Sequence, residues 1–378
     1  MQLRGEHRFE QTAPEVLDRG DLGRVDPPDI APFPQPGALS DLARQGHLID
    51  LGTYLDIEKL KQDQSPYLIS LGTLAQDGSW PASTGTTFGA FSDVNLKSMI
   101  WYPVPELKAN GYEIPRTWGG LIALSDALLR DGETPWCIGW ESGEADGWPG
   151  TDWIELLLLR GPGPEVYDGW ATHEIPFDSP PVRQAFERLG QILFTEGYTS
   201  DGAVEEHFWS AQRPMVNKQP PGCWLYQFPT FGAPALPQGS VGESTNIFPF
   251  PSVGADSRGV VGGGNIIGAF SDRPEVRELV RYILSPAYGE TIVSSDAAFI
   301  SANQRFDLKH YGPFERREAT FIYAALADDA FRFDASDLMP PPIGNDLFWA
   351  AMMRYATEGP ESLDSILAEL DAAWPDDG

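Results

Sequence analysis

Apolar residues recur at helical spacing along much of the chain. Leu39, Leu42 and Ala43 fit one face of a short helix over residues 40–46, which Gly46 stops. The Pro32–Gly37 segment just before it reads as a rigid turn that presents Gln35 at a helix start. Thr117 caps a helix carrying Leu121, Leu124 and Leu128, with Pro115, Arg116 and Trp118 around its start. Asp152 to Leu159 predicts another helix. Asp178-Ser179-Pro180 opens one with Val182, Phe186, Leu189 and Leu193 on a single face, ended by Gly197. Asp272-Arg273-Pro274-Glu275 starts a helix bearing Val276, Leu279, Val280 and Ile283. Phe348–Tyr355 and Ser362–Trp374 read as terminal helices.

Between these lie short apolar runs that read as strands. They are Ser98–Tyr102, Trp136–Ile138, Cys223–Tyr226 and Val260–Ile267, the last with a glycine hinge at Gly262, Gly263 and Gly264. Thr84 to Phe91 is a small-residue strand or loop, and Gln2 to Arg4 could end a strand. Strands alternating with helices predict an α/β fold with a mostly parallel sheet. There is no internal repeat and no low-complexity tract. At 378 residues, two domains or one wound through another is the expected organisation.

One stretch breaks the pattern. Thr134 to Trp153 holds Trp136, Trp140, Trp148 and Trp153, four of the chain's 12 tryptophans, interleaved with Glu141, Glu144, Asp146, Asp152 and four glycines. Flat aromatic faces beside acceptors suit a sugar ring, with its apolar C–H faces and rim of hydroxyls. Indoles that plug gaps between packed elements are the alternative. Composition leaves both open.

Composition narrows the partners. A hydrophobic fraction of 42% with 12% aromatics excludes a disordered chain. A net charge of −29 disfavours nucleic acid and anionic lipid, which need positive surface. No run of 18 apolar residues spans a membrane, and the first residues carry no apolar signal-peptide core. The two cysteines, Cys137 and Cys223, read either as buried free thiols or as one disulfide.

Most catalytic signatures are missing. The five histidines are isolated, and no HExxH, CxxC, G-x-S-x-G elbow or Walker loop occurs. Gly262-Gly263-Gly264 has the wrong spacing for a dinucleotide fingerprint and reads as a hinge or a close backbone approach. Glu141 and Asp152 are the carboxylates that a glycoside hydrolase would need. Trp349 is either helix core or an aromatic platform.

Several segments, taken in order, resemble the extracellular solute-binding proteins of carbohydrate ABC importers. These are Pro28-Asp29-Ile30-Ala31 with Phe33 to Gly37, Asn95 to Tyr102, Gly111-Tyr112 to Trp118, Cys223-Trp224, Arg273 to Glu290 and Phe348-Trp349. Their order and spacing resemble the maltose-binding protein superfamily. TPWCIG, GWP-x-TDWIE and the Cys-Trp pair resemble its α-glucoside-binding branch. The resemblance covers residues 1 to 374. It implies a two-lobed periplasmic-binding-protein-like fold of type II that closes like a hinge on its ligand. The expected N-terminal lobe is 1–103 with 262–310, and the expected C-terminal lobe is 104–261 with 311–378.

The same resemblance implies site residues. Gln35, Gly85 and Thr86 fall on N-lobe sugar loops. Glu141 falls on a C-lobe acceptor loop, with Asp152 as a further acceptor and Trp148 or Trp153 as the stacking ring. Trp224 and Trp349 match aromatics beside the cleft, and Gly263, Gly264 and Asn265 a hinge segment that contacts ligand. Cys137 and Cys223 match the branch's disulfide pair, which puts Trp136 in the core. The implied function is capture of an α-glucoside oligosaccharide and its delivery to an ABC permease. The implied protein is an extracytoplasmic monomer with no catalytic residue, cofactor or metal. A glycosidase using Glu141 and Asp152, and a truncated non-binding remnant, are the alternatives. The family's first strand and helix have no counterpart before Gln2, so the chain reads as lacking that part of the N-terminal lobe and its leader.

Overall fold

A computed structural model describes residues 28–254, 258–294 and 298–375. Among them the chain forms two compact units. One comprises residues 28–94, 264–294 and 299–310, and the other residues 95–254, 258–263, 298 and 311–375. The crossings therefore fall after Val94, before Gly264 and after His310. The sequence reading placed the first of them at 103/104 and the second at 261/262. A change of unit inside a continuous strand leaves no turn or composition shift to read.

The strands in chain order are β1 (Ile30–Phe33), β2 (Thr73–Leu74), β3 (Thr86–Thr87), β4 (Gly89–Leu96) and β5 (Met99–Pro103). They continue with β6 (Tyr226–Gln227), β7 (Thr245–Pro249), β8 (Val260–Ala269), β9 (Ile300–Ser301) and β10 (Phe331–Phe333). The first unit is built on a sheet ordered β1-β8-β4-β9. Its register pairs Ile30 with Ala269 and Asp93 with Ser301. The Pro36–Arg44 helix follows β1 directly, with Gln35 at its N-cap in extended geometry. Val276 and Val280 of the Pro274–Ile283 helix pack with Leu51, Ile69 and Ala90 in this unit's core, while Leu279 stays 49% exposed.

β4 runs from the first unit into the second, and β8 runs from the second back into the first. Their backbones approach closely, and two glycines permit it. A Cβ on Gly264 would lie 2.2 Å from the Asp93 carbonyl oxygen, and one on Gly262 would lie 2.6 Å from the Asn95 carbonyl oxygen and 2.3 Å from the Phe331 ring of β10. Of the two roles the triplet suggested from sequence, close approach is what these two positions require.

The second unit surrounds the Trp148–Leu159 helix. Every residue of that helix after Trp148 is buried. A helix buried on all sides belongs inside a domain, and this one packs against the Pro164–Ala171, Pro180–Leu193 and Phe348–Glu358 helices. The three-stranded sheet β6-β5-β7 lies in the same unit. The Trp118–Arg130 helix starts where the leucine spacing put it, with Thr117 Oγ1 accepting from Gly120 N at 3.1 Å. The Pro180–Leu193 helix ends before Gly197.

Two expectations need correction. The ladders β1/β8, β4/β9, β5/β6, β5/β7 and β2/β3 are antiparallel, and β8/β10 is parallel. Alternation of strand and helix predicts parallel pairing only when successive strands are neighbours, and here β1 pairs with β8 across most of the chain. Trp136–Ile138 and Cys223–Tyr226 are not full strands. They meet at a single Trp136–Leu225 bridge, and only Tyr226 and Gln227 continue as β6. The expected strand at Gln2–Arg4 lies outside the described residues.

Candidate functional site

In the second unit the loop before the long helix turns back at Gly147, where φ is +99°. That turn gives the Gly147 N–H to the Trp140 carbonyl at 2.9 Å and leaves Trp148 half-buried at the first helical position. The Trp148 ring meets Phe208 at 5.3 Å, Phe228 at 5.8 Å and Phe231 at 6.0 Å between centroids. Trp209 stacks on Phe231 at 6.3 Å with planes 16° apart. Trp148, Trp209 and Phe231 are each half-buried, so the cluster keeps ring surface accessible.

Glu141 borders this surface. Its Oε1 accepts from Gly143 N at 3.0 Å, and Oε2 lies 4.0 Å from His207 Nε2. His207 in turn stacks on Phe208 at 4.7 Å. The Glu141 side chain is 39% exposed, so a carboxylate with free acceptor capacity stands beside an aromatic face. Trp349 joins through the backbone, because Gly147 packs against its carbonyl oxygen. Its Nε1 is buried without a hydrogen-bond partner among the described residues. Glu141 and Trp148 border this surface, and the Trp349 backbone packs against Gly147, the residue before Trp148.

Asp152, Trp153 and Trp224 are not part of this surface. Trp153 and Trp224 are each 1% exposed. Trp153 packs edge-on against Trp136 at 5.2 Å, and Trp224 gives its Nε1–H to Glu133 at 3.1 Å. Both are core residues, because the helix that carries Trp153 is enclosed on all sides and Trp224 flanks the Cys137–Cys223 disulfide. Asp152 is fully buried and accepts from Lys97 Nζ at 3.0 Å.

Lys97 Nζ also pairs with Asp334, and Glu155 and Asp337 complete a buried cluster. Asp334 Oδ1 accepts from Ser336 Oγ at 2.7 Å and Asp337 N at 3.0 Å, while Glu155 Oε1 accepts from Ser336 N at 3.1 Å. Burial works against the Lys97 charge, but Asp152, Asp334, Asp337 and Glu155 outweigh it and hold the ammonium well above its ordinary range. Burial pushes Asp152 up to about 8 and lifts Glu155 and Asp337 well above the carboxylate range, with neighbouring carboxylates adding to it. Asp334 goes the other way, because Lys97 more than offsets its burial. Lys97 thus bonds two carboxyl groups, Asp152 and Asp334, inside the second unit, with Glu155 and Asp337 beside them. Asp152, Glu155 and Asp334 could each offer a metal-ligand atom within 4.8 Å of the others, but Lys97 already supplies the cation there.

The first unit holds the other expected residues. Gly85 and Thr86 line a cleft of about 290 Å³ with Asp50, Thr73, Thr84 and Lys61. Gly85 has φ +145°, and a Cβ there would lie 1.9 Å from the Leu74 carbonyl oxygen, so the loop requires glycine. Gln35 is half-buried at the start of its helix, with no side-chain cap bond. Asn265 Nδ2 donates to Asp93 Oδ2 at 2.9 Å, and Ser92 Oγ donates to Asp93 Oδ1 at 2.6 Å. Burial raises the Asp93 carboxyl despite both bonds. Gly264 is a strand-contact residue whose neighbours are backbone atoms of β4.

Sequence reasoning missed Lys97, Trp209, Phe231, Asp334 and Asp93. The His207-Phe208-Trp209 run was a legible aromatic signal. Lys97 and Asp334 lie 237 positions apart and carry no local one.

Residues 13–290 match the family described as bacterial extracellular solute-binding protein. The chain is 35% identical over 365 residues to the osmoprotective compounds-binding protein GgtB of Synechocystis sp., covering 94% of this chain and 82% of that one. It is 32% identical over 361 residues to the alpha-glucosides-binding periplasmic protein AglE of Rhizobium meliloti, covering 92% and 76%. Among solved structures it is similar to the bacterial solute receptor AcbH, with TM-score 0.78 at 15% identity, covering 95% of this chain and 87% of that one. It is also similar to maltose-bound MalE3 of T. maritima, with TM-score 0.69 at 15% identity over 94% and 87%. These two likenesses concern the fold, which is the two-lobed type II binding-protein class expected from the sequence. By its family match and by its identity to both relatives, the chain belongs to the bacterial extracellular solute-binding proteins.

Proposed function

We propose that the protein binds a carbohydrate, an α-glucoside, and delivers it to the membrane permease of an ABC transporter. The observation that carries this reading is the half-buried aromatic surface of Trp148, Trp209 and Phe231 beside the Glu141 carboxylate. Rings cover the C–H face of a sugar, and a carboxylate with free lone pairs accepts hydroxyl protons. The names of the relatives support the ligand class, one being an alpha-glucosides-binding protein and the other a binder of osmoprotective compounds. Micromolar affinity corresponds to about −8 kcal/mol, within reach of two ring contacts and several hydrogen bonds at about 1 kcal/mol each.

The protein acts by binding, without catalysis, outside the cytoplasm and as a monomer. Burial of Asp152 against Lys97 supports the non-catalytic part of this reading, because it removes one of the two carboxylates a glycosidase would have used. Calorimetric titration with maltose, trehalose, sucrose and galactose tests the reading. Micromolar binding of at least one α-glucoside without hydrolysis is the expected result. Absence of binding to all of them by folded protein, or turnover of any, overturns it.

A further inference from the structure

We propose that Lys97 is a positioning residue that fixes the plane of Trp148, the central ring of the aromatic surface. The ammonium lies 5.1 Å from the Trp148 ring centroid. It also donates to Asp152 Oδ1 at 3.0 Å and pairs with Asp334. Trp148 and Asp152 are four apart on one helix and so share a face. One cation therefore grips the same helix face twice, by its ring and by its carboxylate.

The lysine itself is held at both ends. Its backbone N–H donates to Val261 at 3.0 Å, and its carbonyl accepts from Gln227 Nε2 at 3.0 Å. A Cβ on Gly263 would stand 3.2 Å from the Lys97 Cε, so the glycine leaves room for the stem. Lys97 is 6% exposed, and a cation over an indole face attracts more strongly when water is excluded. Phe208, Phe228 and Phe231 support the ring, but aromatic contacts alone tolerate tilting. The ammonium adds a directional restraint on the ring face. It also places Trp148 under the charge state of Asp152, Glu155, Asp334 and Asp337, the groups that face it from the long helix and from the segment after β10. This explains why a cluster that costs desolvation sits directly behind an aromatic surface.

The consequence for ligand affinity rests on the carbohydrate-binding reading, but the effect on the ring does not. The test uses full-length protein labelled with 5-fluorotryptophan, with the Trp148 fluorine resonance assigned by its loss in Trp148→Phe. Lys97→Arg keeps the charge and changes the group on the ring face. Lys97→Met combined with Asp152→Asn and Asp334→Asn removes the cation together with both carboxylates that bond it. In both, the Trp148 resonance is expected to move while that of the core residue Trp153 stays in place, and the cation-free variant broadens it. Trehalose or maltose affinity falls on the order of tenfold in the cation-free variant and is largely retained in Lys97→Arg. An unmoved Trp148 resonance in either folded variant overturns the proposal. A wild-type protein that binds neither sugar would defeat the functional reading, and the resonance would still decide the role of Lys97.

Discussion

Gly147 and Trp349 touch through the backbone: a Cβ added at Gly147 would stand 2.1 Å from the Trp349 carbonyl oxygen. This contact and the positive φ at Gly147 fix the backbone at the start of the helix, where Trp148 follows the glycine directly. Gly147→Ala therefore meets a clash and a left-handed backbone together. A destabilisation of about 2 kcal/mol or more is expected in urea unfolding, with sugar affinity reduced in whatever fraction remains folded. A variant as stable as wild type would show that the loop relaxes freely.

Trp148 and Trp153 lie on the same helix but have opposite roles. Trp148→Ala should weaken sugar binding by roughly fivefold to tenfold with a small change in thermal midpoint, because about 1 kcal/mol of ring contact is lost from a half-buried position. Trp153→Ala should instead cost about 3–5 kcal/mol of stability, since it opens a cavity between Trp136 and Phe250. Titration and melting of the two variants side by side would separate the roles, and equal effects on both readouts would contradict the division.

The Cys137–Cys223 disulfide closes a loop with a sequence separation of 86 and lies wholly in the second unit. In the chain-entropy description such a loop stabilises by about 4–5 kcal/mol. Reduction, or the double Cys→Ser replacement, should lower the urea midpoint of that unit by a corresponding amount. A midpoint unchanged by reductant would show that the bond is absent from the purified protein.

Glu318 is buried with its carboxylate against Thr230, and burial raises its pKa from 4.5 to about 7. The native protein keeps this proton over an interval in which the unfolded chain has already lost it. The favourable contribution is complete below about 4.5 and is lost as pH rises through about 7, an upper bound of about 3 kcal/mol. Glu318→Gln should flatten the decline in stability between pH 5 and pH 8. Urea midpoints of variant and wild type at both pH values provide the check, and parallel curves would rule the effect out.

The helices were legible because amphipathic spacing and caps are local. Thr117 and its leucines, and Pro274 with Val276 and Val280, fall where their periodicity put them. The long helix was legible as a helix, but its polar residues misled. Asp152 beside glycines and tryptophans reads as a ligand acceptor, and only Lys97, 55 positions away, reveals it as half of a buried ion pair. Trp153 and Trp224 misled for a related reason, since an indole's type and neighbours are the same whether it faces solvent or the core.

By itself, the sequence determined most of the helical segments, the glycine triplet of β8 as a hinge or close approach and, through motif order, the family. Tertiary structure alone decided which carboxylates are spent on Lys97, which indoles remain accessible, and that the main ladders run antiparallel. The division has a physical cause. Periodicity and backbone conformation act over a few residues and are written in their order. Burial and charge pairing depend on groups such as Lys97 and Asp334, separated by 237 positions, which only the folded chain brings together.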